Sequence, residues 1–507
     1  MDYLAIVGGL VLSLTLIQIL YLVQEIRSKG SCNNKKLPPG PIPLPFIGNL
    51  HNLLGAQPHK SLANLGQKYG PIYSLRLGNT TTVVISSSVG VKEVLQKQDL
   101  AFSRSVPDAM CAHNHHQFSV IWLPMDNRWR RLRKILNTYI FSGNRLDANQ
   151  YLRSRKIKEL IAYCHKHSQT GEAVDIGQAT FYTSLSLLSN TIFSRDFADP
   201  YVNSGKEFRE LVCKFMEEFG KPNIVDFFPM LRRMDPQGIR QRISIHAGQL
   251  LNLFEGLIDD RVEQRKLQTN TRSNDDVLDV LLNVSQEDPE AIQRKDIEHM
   301  FLDLFVAGTE TTSNTVEWAM SEVMKSPEVM KKAQTELKKV IGKGKLIEEK
   351  DVPLLPYLQC IVKETMRLHP PGPLFLRTAK QDVELCGYFI PKGSLVLIHV
   401  WLMARDPTIW EDPLVFKPER FWGSEFEVRG QDFELIPFGG GRRICPGLPL
   451  AMRTVPVILG SLLNSFDWKV EGEIAPKDLD MEEKFGLTLA KSCPLRIIPL
   501  LISNTQS

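Results

Sequence analysis

The chain has 507 residues, of which 43% are apolar and 23% charged, and its formal net charge is +4. This composition excludes a globally disordered chain, the length exceeds the roughly 250–300 residues that one hydrophobic core serves, and the small net charge gives no footing for nucleic acid. Eight cysteines (Cys32, Cys111, Cys164, Cys213, Cys360, Cys386, Cys445 and Cys493) show no pairing rhythm and no C-x-x-C, which fits a reducing compartment better than a disulfide framework.

Residues Tyr3 to Val23 are apolar apart from Ser13, Thr15 and Gln18, long enough to cross the hydrocarbon core of a bilayer. Arg27, Lys29, Lys35 and Lys36 follow, whereas Asp2 alone precedes, so the positive-inside rule keeps the remainder on the cytosolic side. A cleaved signal peptide is the rival reading; the length of the run and the flank that carries the positive charge argue against it. The expected organisation is a transmembrane anchor over 1–26, a basic and proline-rich linker over 27–45 and one cytosolic domain over 46–507. The prolines of Leu37-Pro-Pro-Gly-Pro-Ile-Pro-Leu-Pro45 fix φ and remove donors, which predicts a stiff strut packed onto that domain.

Alternation and β-branched content from Ile72 to Ser86 predict two strands joined at Gly78-Asn79. Helical periodicity then dominates, over Val89 to Gln96, Arg128 to Ile140, Leu152 to Ser168, Ile176 to Ile192, Lys206 to Phe219 and Arg240 to Arg265, with Lys266 to Asp276 as a surface loop. Asn79-Thr80-Thr81 and Asn283-Val284-Ser285 match the glycosylation pattern, which a cytosolic domain leaves unmodified. His113-Asn114-His115-His116 has no cysteine or carboxylate at zinc-like spacing and reads as a loop beside a pocket, followed by apolar Phe118-Ser119-Val120-Ile121-Trp122.

Chemistry-bearing motifs follow in order. Trp129 and Arg133 lie at i and i+4, where an indole N–H and a guanidinium suit one carboxylate; Arg128, Arg130, Arg131 and Lys134 read as a basic face towards solvent or an acidic partner. Asp296 to Lys325 reads as one long helix interrupted at Ala307-Gly-Thr-Glu-Thr-Thr312, where glycine and threonine weaken and bend a helix; Glu310 and Thr311 there supply a proton route beside space for a small ligand. Glu364 and Arg367 end a helix before His369-Pro370-Pro371, and Arg420 is expected to join them in a buried cluster that pins the cysteine loop. That loop is Phe438-Gly-Gly-Gly-Arg-Arg-Ile-Cys445-Pro-Gly447, in which glycines free amide N–H groups to face a thiolate and Arg443 suits a carboxylate-bearing partner.

These elements, in this order and at these separations, resemble the cytochrome P450 superfamily over nearly the whole chain. The resemblance implies a mainly α, triangular fold with small β-sheets behind one N-terminal transmembrane helix, and a single b-type haem whose proximal ligand is Cys445. Trp129, Arg133, Arg377 and Arg443 would hold the propionates, and Glu310 and Thr311 would be the oxygen-activating acid–alcohol pair. Electrons would come from NADPH through a membrane-bound flavoprotein reductase. The site would then lie in a single-pass protein of the endoplasmic reticulum membrane. Phe118-Ser-Val-Ile-Trp-Leu-Pro124, Ile140 to Gln150 and Met481-Glu-Glu-Lys-Phe-Gly486 are similar to plant microsomal members that act on monoterpenoids, such as geraniol at an allylic methyl. By family position Phe118, Phe305, Val306, Leu374, Phe375 and Leu487 would line an apolar pocket. Departures fall at Phe102-Ser103-Arg104 and Leu374-Phe375-Leu376-Arg377, each one residue short, and at His399 in place of asparagine. A hydroxylase of an aromatic-prenyl substrate such as geranylhydroquinone is the alternative. A peroxide-rearranging relative, which lacks the acid–threonine pair, and a non-enzymatic haem carrier or sensor are remote ones.

Overall fold

The computed structural model describes residues 36–55, 57–197, 206–267, 276–472 and 474–501. The expected anchor and most of the basic linker lie outside the described residues. Among the described residues the strands are β1 (Ile72–Leu77), β2 (Thr80–Ile85), β3 (Phe102–Arg104), β4 (Val174–Asp175), β5 (Phe375–Ala379), β6 (Val383–Leu385), β7 (Tyr388–Ile390), β8 (Leu395–Ile398), β9 (Phe466–Val470), β10 (Glu483–Phe485), β11 (Leu489–Lys491) and β12 (Arg496–Leu501). They form a mixed sheet in the order β1-β2-β8-β5-β3, a sheet β4-β12-β9, and the hairpins β6-β7 and β10-β11. Helices make up most of the rest. Those that build the site are α1 (Pro58–Tyr69), α2 (Asn127–Ile135), α3 (Ile176–Phe193), α4 (Lys206–Phe219), α5 (Ile239–Leu267), α6 (Arg294–Gly308), α7 (Glu310–Lys325), α8 (Pro356–Leu368) and α9 (Leu448–Ser465).

Local chemistry explains where these elements start and stop. The β1–β2 turn needs a left-handed residue, supplied by Gly78 at φ +56°. Asp126 caps α2 by accepting the Trp129 N–H at 2.8 Å. The long helix predicted across 296–325 is two helices, because Thr309 departs to φ −91°, ψ −67°. On the far side of that break Thr311 and Thr312 hydroxyls donate back to the Ala307 and Gly308 carbonyls at 2.7 and 3.2 Å, bonds that bend a helix. Asp276 is not part of a surface loop. It is buried, caps the following helix at the Asp279 N–H, and takes two hydrogen bonds of 2.9 Å from Arg261.

Helices α3, α6 and α7 run through the middle, between one apolar core that gathers α2, α4 and α5 and a second that gathers α8 and α9. Among the described residues α9 is the one helix long and apolar enough to cross a membrane; 61% of it is buried inside the protein, as suits a core helix.

One buried ionic network ties the β10–β11 hairpin to this frame. The Glu483 carboxylate meets His59 Nε2 at 2.9 Å, the Trp401 indole N–H at 2.9 Å and the Arg405 guanidinium at 3.5 Å. Burial alone would raise this carboxyl, but nearby His369, the hydrogen bond from His59, the charge of Arg405 and the bond from Trp401 outweigh it and hold it well below the carboxylate range. A depressed carboxyl adds stability above its unfolded pKa of about 4.3 and loses it as pH falls below that value. The thermal midpoint of wild type should therefore exceed that of Glu483→Gln at neutral pH. The gap should begin to narrow as pH falls below about 4.3 and shrink progressively in stronger acid; a gap that stays constant in acid would assign the stabilisation to packing instead.

Candidate active site

The cysteine loop is shaped by close backbone approach. Gly441 adopts φ +67°, and a Cβ there would stand 1.9 Å from the Leu95 carbonyl oxygen, so a larger residue displaces the loop. The two arginines diverge. Arg442 turns outward onto Asp99, with Nε 2.6 Å from Oδ2. Arg443 turns inward, donates to the Ile121 carbonyl at 3.4 Å and to that of Leu123, and lies over the Trp129 ring at 4.9 Å. The Cys445 N–H closes the turn on the Phe438 carbonyl at 3.0 Å. Burial pushes the Cys445 thiol up, against the Gly447 and Leu448 amides and the charges of Arg133 and Arg104, which favour the thiolate. Its residue nonetheless keeps open surface. Crowded surroundings and open surface together mean that the sulfur faces space inside the protein.

Trp129 and Arg133 share a face of α2, as their spacing requires, but each rests on a carbonyl. The Trp129 indole donates to Val120 at 3.0 Å and Arg133 donates to Ile444 at 2.5 Å, directly before the cysteine. The register of β3 on β5 sets Arg104 directly opposite Arg377. Like charges in that position repel. Arg377 is buried and donates to the Leu376 carbonyl at 2.9 Å. Burial, then Arg104 and Arg443, drive its guanidinium well below the usual range; burial, then Arg104 and Arg133, lower Arg443 to about 10. Arg104, lowered by burial, feels both Cys445 and Asp303. The Arg443 Nε atom is buried with no hydrogen-bond partner among the described residues. Arg133 and Arg104 thus act on Cys445, and Arg377 and Arg443 join Arg104 in a cluster with more positive charge than the nearby acids neutralise. Such a cluster is stable around a ligand that brings carboxylates.

Across from the loop, the break between α6 and α7 opens a gap in an otherwise sealed helix. Phe301 to Phe305 and Ser313 to Met324 are buried, whereas Ala307 is exposed and Val306, Gly308, Glu310 and Thr311 are half-exposed. Leu450, on the first turn after the cysteine loop, packs on the same apolar core as Val306. Burial raises the Glu310 carboxyl, with the Thr488 hydroxyl and Lys484 acting the other way, and its Oε2 has no partner among the described residues. Asn314, one turn on, donates to Thr488 Oγ1 at 2.8 Å and fixes that hydroxyl. A carboxyl whose pKa burial raises, beside open surface, can take and pass on a proton.

Of the pocket candidates, Val306 and Leu487 are half-exposed against the core, and Phe375 stands beside Gly439 of the cysteine loop, 3.7 Å from where a Cβ would be. Leu374 is half-buried against the β1–β2 face of the mixed sheet. Phe305 departs from the expectation: at 0% exposure its ring is sealed among Phe193, Phe208 and Phe254, so it backs the wall and does not line it. Phe118 stacks on His299 at 4.8 Å and carries the Arg128 guanidinium at 4.7 Å, a support beneath the turn that holds Trp129 and Arg443.

Glu364, Arg367 and Arg420 do form one buried cluster, with bonds of 2.6, 2.8 and 2.9 Å to the Glu364 carboxylate. It pins a different segment from the one expected. Arg367 and Arg420 donate to carbonyls of Ala404, Glu411, Asp412, Pro413 and Val415, well before the cysteine loop. The sequence gives no site role to Arg104, Trp122, Asp303 or Thr488. Arg104 stands out there only as part of the shortened Phe102-Ser103-Arg104 segment, and its partner Arg377 is far away in the chain.

A thiol facing enclosed space, beside a cluster of guanidinium groups short of acid, fits a flat metal-bearing ligand with two carboxylates: the site defines a haem-thiolate protein. The Cytochrome P450 family model matches residues 38–493, and the chain belongs to that family. The chain is 64% identical over 501 residues to Geraniol 8-hydroxylase of Catharanthus roseus, covering 98% of this chain and 99% of the relative. It is 63% identical over 499 residues to Geraniol 8-hydroxylase of Swertia mussotii, with 98% and 99% covered. It is 53% identical over 475 residues to a Geranylhydroquinone 3''-hydroxylase of Arnebia euchroma, with 93% and 95% covered. It is accordingly a haem-thiolate monooxygenase that uses O2, with electrons drawn from NADPH through a reductase. When bound, haem supplies the oxygen chemistry, and an axial thiolate favours O–O cleavage.

Proposed function

We propose that this monooxygenase hydroxylates a monoterpenoid alcohol, geraniol at an allylic methyl, as a step of terpenoid biosynthesis. In this reading Cys445 is the axial ligand, and Trp129, Arg133, Arg377 and Arg443, with Arg104, hold the two propionates. Glu310 and Thr311 deliver protons. The observation that carries the reading is the open face of the helix break, where Val306 and Ala307 present apolar surface beside Leu487 and a single acid. A flexible prenyl chain with one hydroxyl needs such a wall with few polar handles. The likeness to two geraniol 8-hydroxylases over 98% of the chain supports the choice of alcohol.

The protein is further read as a single-pass resident of the endoplasmic reticulum membrane with its domain in the cytosol, anchored by Tyr3 to Val23. One corner supports contact with lipid: Ile42 is 86% and Met234 73% exposed, with Phe46, Leu54 and Met230 also exposed. The β1–β2 turn joins the two chain segments there, Gly78 N–H donating to Ile47 at 3.2 Å and Asn79 N–H to Phe227 at 3.1 Å. Arg130, Arg131 and Lys134, exposed on the outer side of α2, suit an acidic reductase surface.

Turnover of the microsomal protein with reductase, on geraniol, nerol and geranylhydroquinone side by side, tests the substrate. Geraniol is expected to be oxidised fastest. Oxidation of geranylhydroquinone alone would move the assignment to aromatic-prenyl substrates, and oxidation of none would end it. In the same assay Thr311→Ala should keep consuming NADPH while product per NADPH falls by about tenfold or more, in line with loss of a positioned proton donor. Unchanged coupling would remove Thr311 from the proton route.

A further inference from the structure

Around the core that contains Phe301 and Phe305, the half-buried side chains packed against it include Trp122, Phe219, Val306, Leu450 and Leu487. Three of them converge. The Trp122 and Phe219 rings meet edge to face, with centroids 6.1 Å apart and planes at 79°. Phe219 ends α4 and is backed by Phe215, stacked at 6.4 Å. The next residue, Gly220, approaches the β10–β11 turn so closely that a Cβ would lie 2.9 Å from the Leu487 nitrogen. One turn earlier on α4, Met216 Sδ receives the Thr309 hydroxyl at 3.8 Å, so the last turn of α4 rests on the helix break itself. On the other side the Arg104 guanidinium lies over the Trp122 ring at 5.4 Å, which joins the wall to the arginine cluster.

We propose that Trp122 and Phe219 are specificity-determining residues: their edge-to-face pair, closed by Leu487, sets the width of the substrate space over the helix break, admitting a slender prenyl chain and turning away one that carries an aromatic ring. The inference rests on the reading of the chain as a prenyl hydroxylase for the identity of the substrate, but not for the existence of the wall. Each ring is rigid, and each is braced: Trp122 by Arg104, Phe219 by Phe215 and by the Gly220–Leu487 contact. Such a wall does not yield to a bulky ligand as a Leu or Met wall does.

The test uses the haem-loaded full chain and its Phe219→Ala, Trp122→Phe and doubly substituted forms. Optical titration gives dissociation constants for imidazole and phenylimidazole, two azoles that differ by one ring. Geraniol and geranylhydroquinone are then titrated in the same way. Phe219→Ala should shift the phenylimidazole-to-imidazole ratio by about tenfold in favour of the larger azole, the size expected when a ring gains room in an apolar pocket. Imidazole affinity should change much less than phenylimidazole affinity, a selectivity that a merely structural role would not predict. Trp122→Phe should add less in the Phe219→Ala background than alone, because the two rings act as one wall. A ratio unmoved in both single variants, or strictly additive effects, overturns the proposal. If the azole ratio moves while neither prenyl substrate binds wild type, the wall stands and the substrate reading falls. If geraniol binds and the ratio does not move, the reverse holds.

Discussion

Serine in place of Cys445 removes the thiolate-type carbon monoxide band of the reduced protein and reduces oxidation of every substrate to background. The loop leaves no substitute ligand. The Gly447 and Leu448 amides face the sulfur, and Arg133 and Arg104 favour its charged form. A serine hydroxyl, smaller and far less acidic, stays protonated in the same surroundings. The Gly441 approach to Leu95 also prevents the loop from shifting to compensate. The optical spectrum decides the matter independently of turnover: a variant that kept the thiolate-type band would place the ligand on another of the cysteines.

Glu364→Gln should cost about 3–5 kcal/mol, the range for breaking one side of a buried charge cluster, and that is a large part of the 5–15 kcal/mol that holds a domain together. Glu364 is fully buried and accepts four bonds, from Arg367 Nε and Nη2, Arg420 Nε and the Lys417 N–H. Loss of its charge strands two guanidinium groups, and Arg367 is itself fully buried. The expected readouts are a low yield of haem-loaded protein and a thermal midpoint lowered by several degrees. Adding Arg367→Met to Glu364→Gln should recover part of the loss, since an apolar replacement removes the stranded charge. Full additivity of the two would show that the cluster contributes only through packing.

Much of the frame was legible because its signals are local. Gly78-Asn79 announced the β1–β2 hairpin, and α4 runs over Lys206–Phe219 as its periodicity predicted. The weak stretch from Ala307 to Thr312 announced the break between α6 and α7. What escaped is what depends on register and rotamer between distant segments. Nothing in Phe102-Ser103-Arg104 says that Arg104 faces Arg377; only the β3–β5 pairing does. Trp129 and Arg133 were rightly put on one face, but their carbonyl partners lie on the 118–123 turn and before Cys445. The Phe305 ring points into an aromatic core that three other helices complete, which no periodicity on α6 alone reveals. Asp276 lies in a polar stretch, and its burial depends on Arg261 reaching it from α5.

The facing arginines of β3 and β5 carry a consequence for how the protein matures. Two guanidinium groups opposed across a three-residue edge strand weaken that pairing, and a carboxylate-bearing ligand held there would relieve the repulsion. A ligand that binds the folded chain and relieves this repulsion adds its own binding free energy to the stability of the fold. In the proposed reading haem would then be a folding partner as well as a reagent. Chains short of it would be expected to hold the β3 edge more loosely and to be more open to degradation, so that cofactor supply would affect how much protein accumulates as well as how much of it is active.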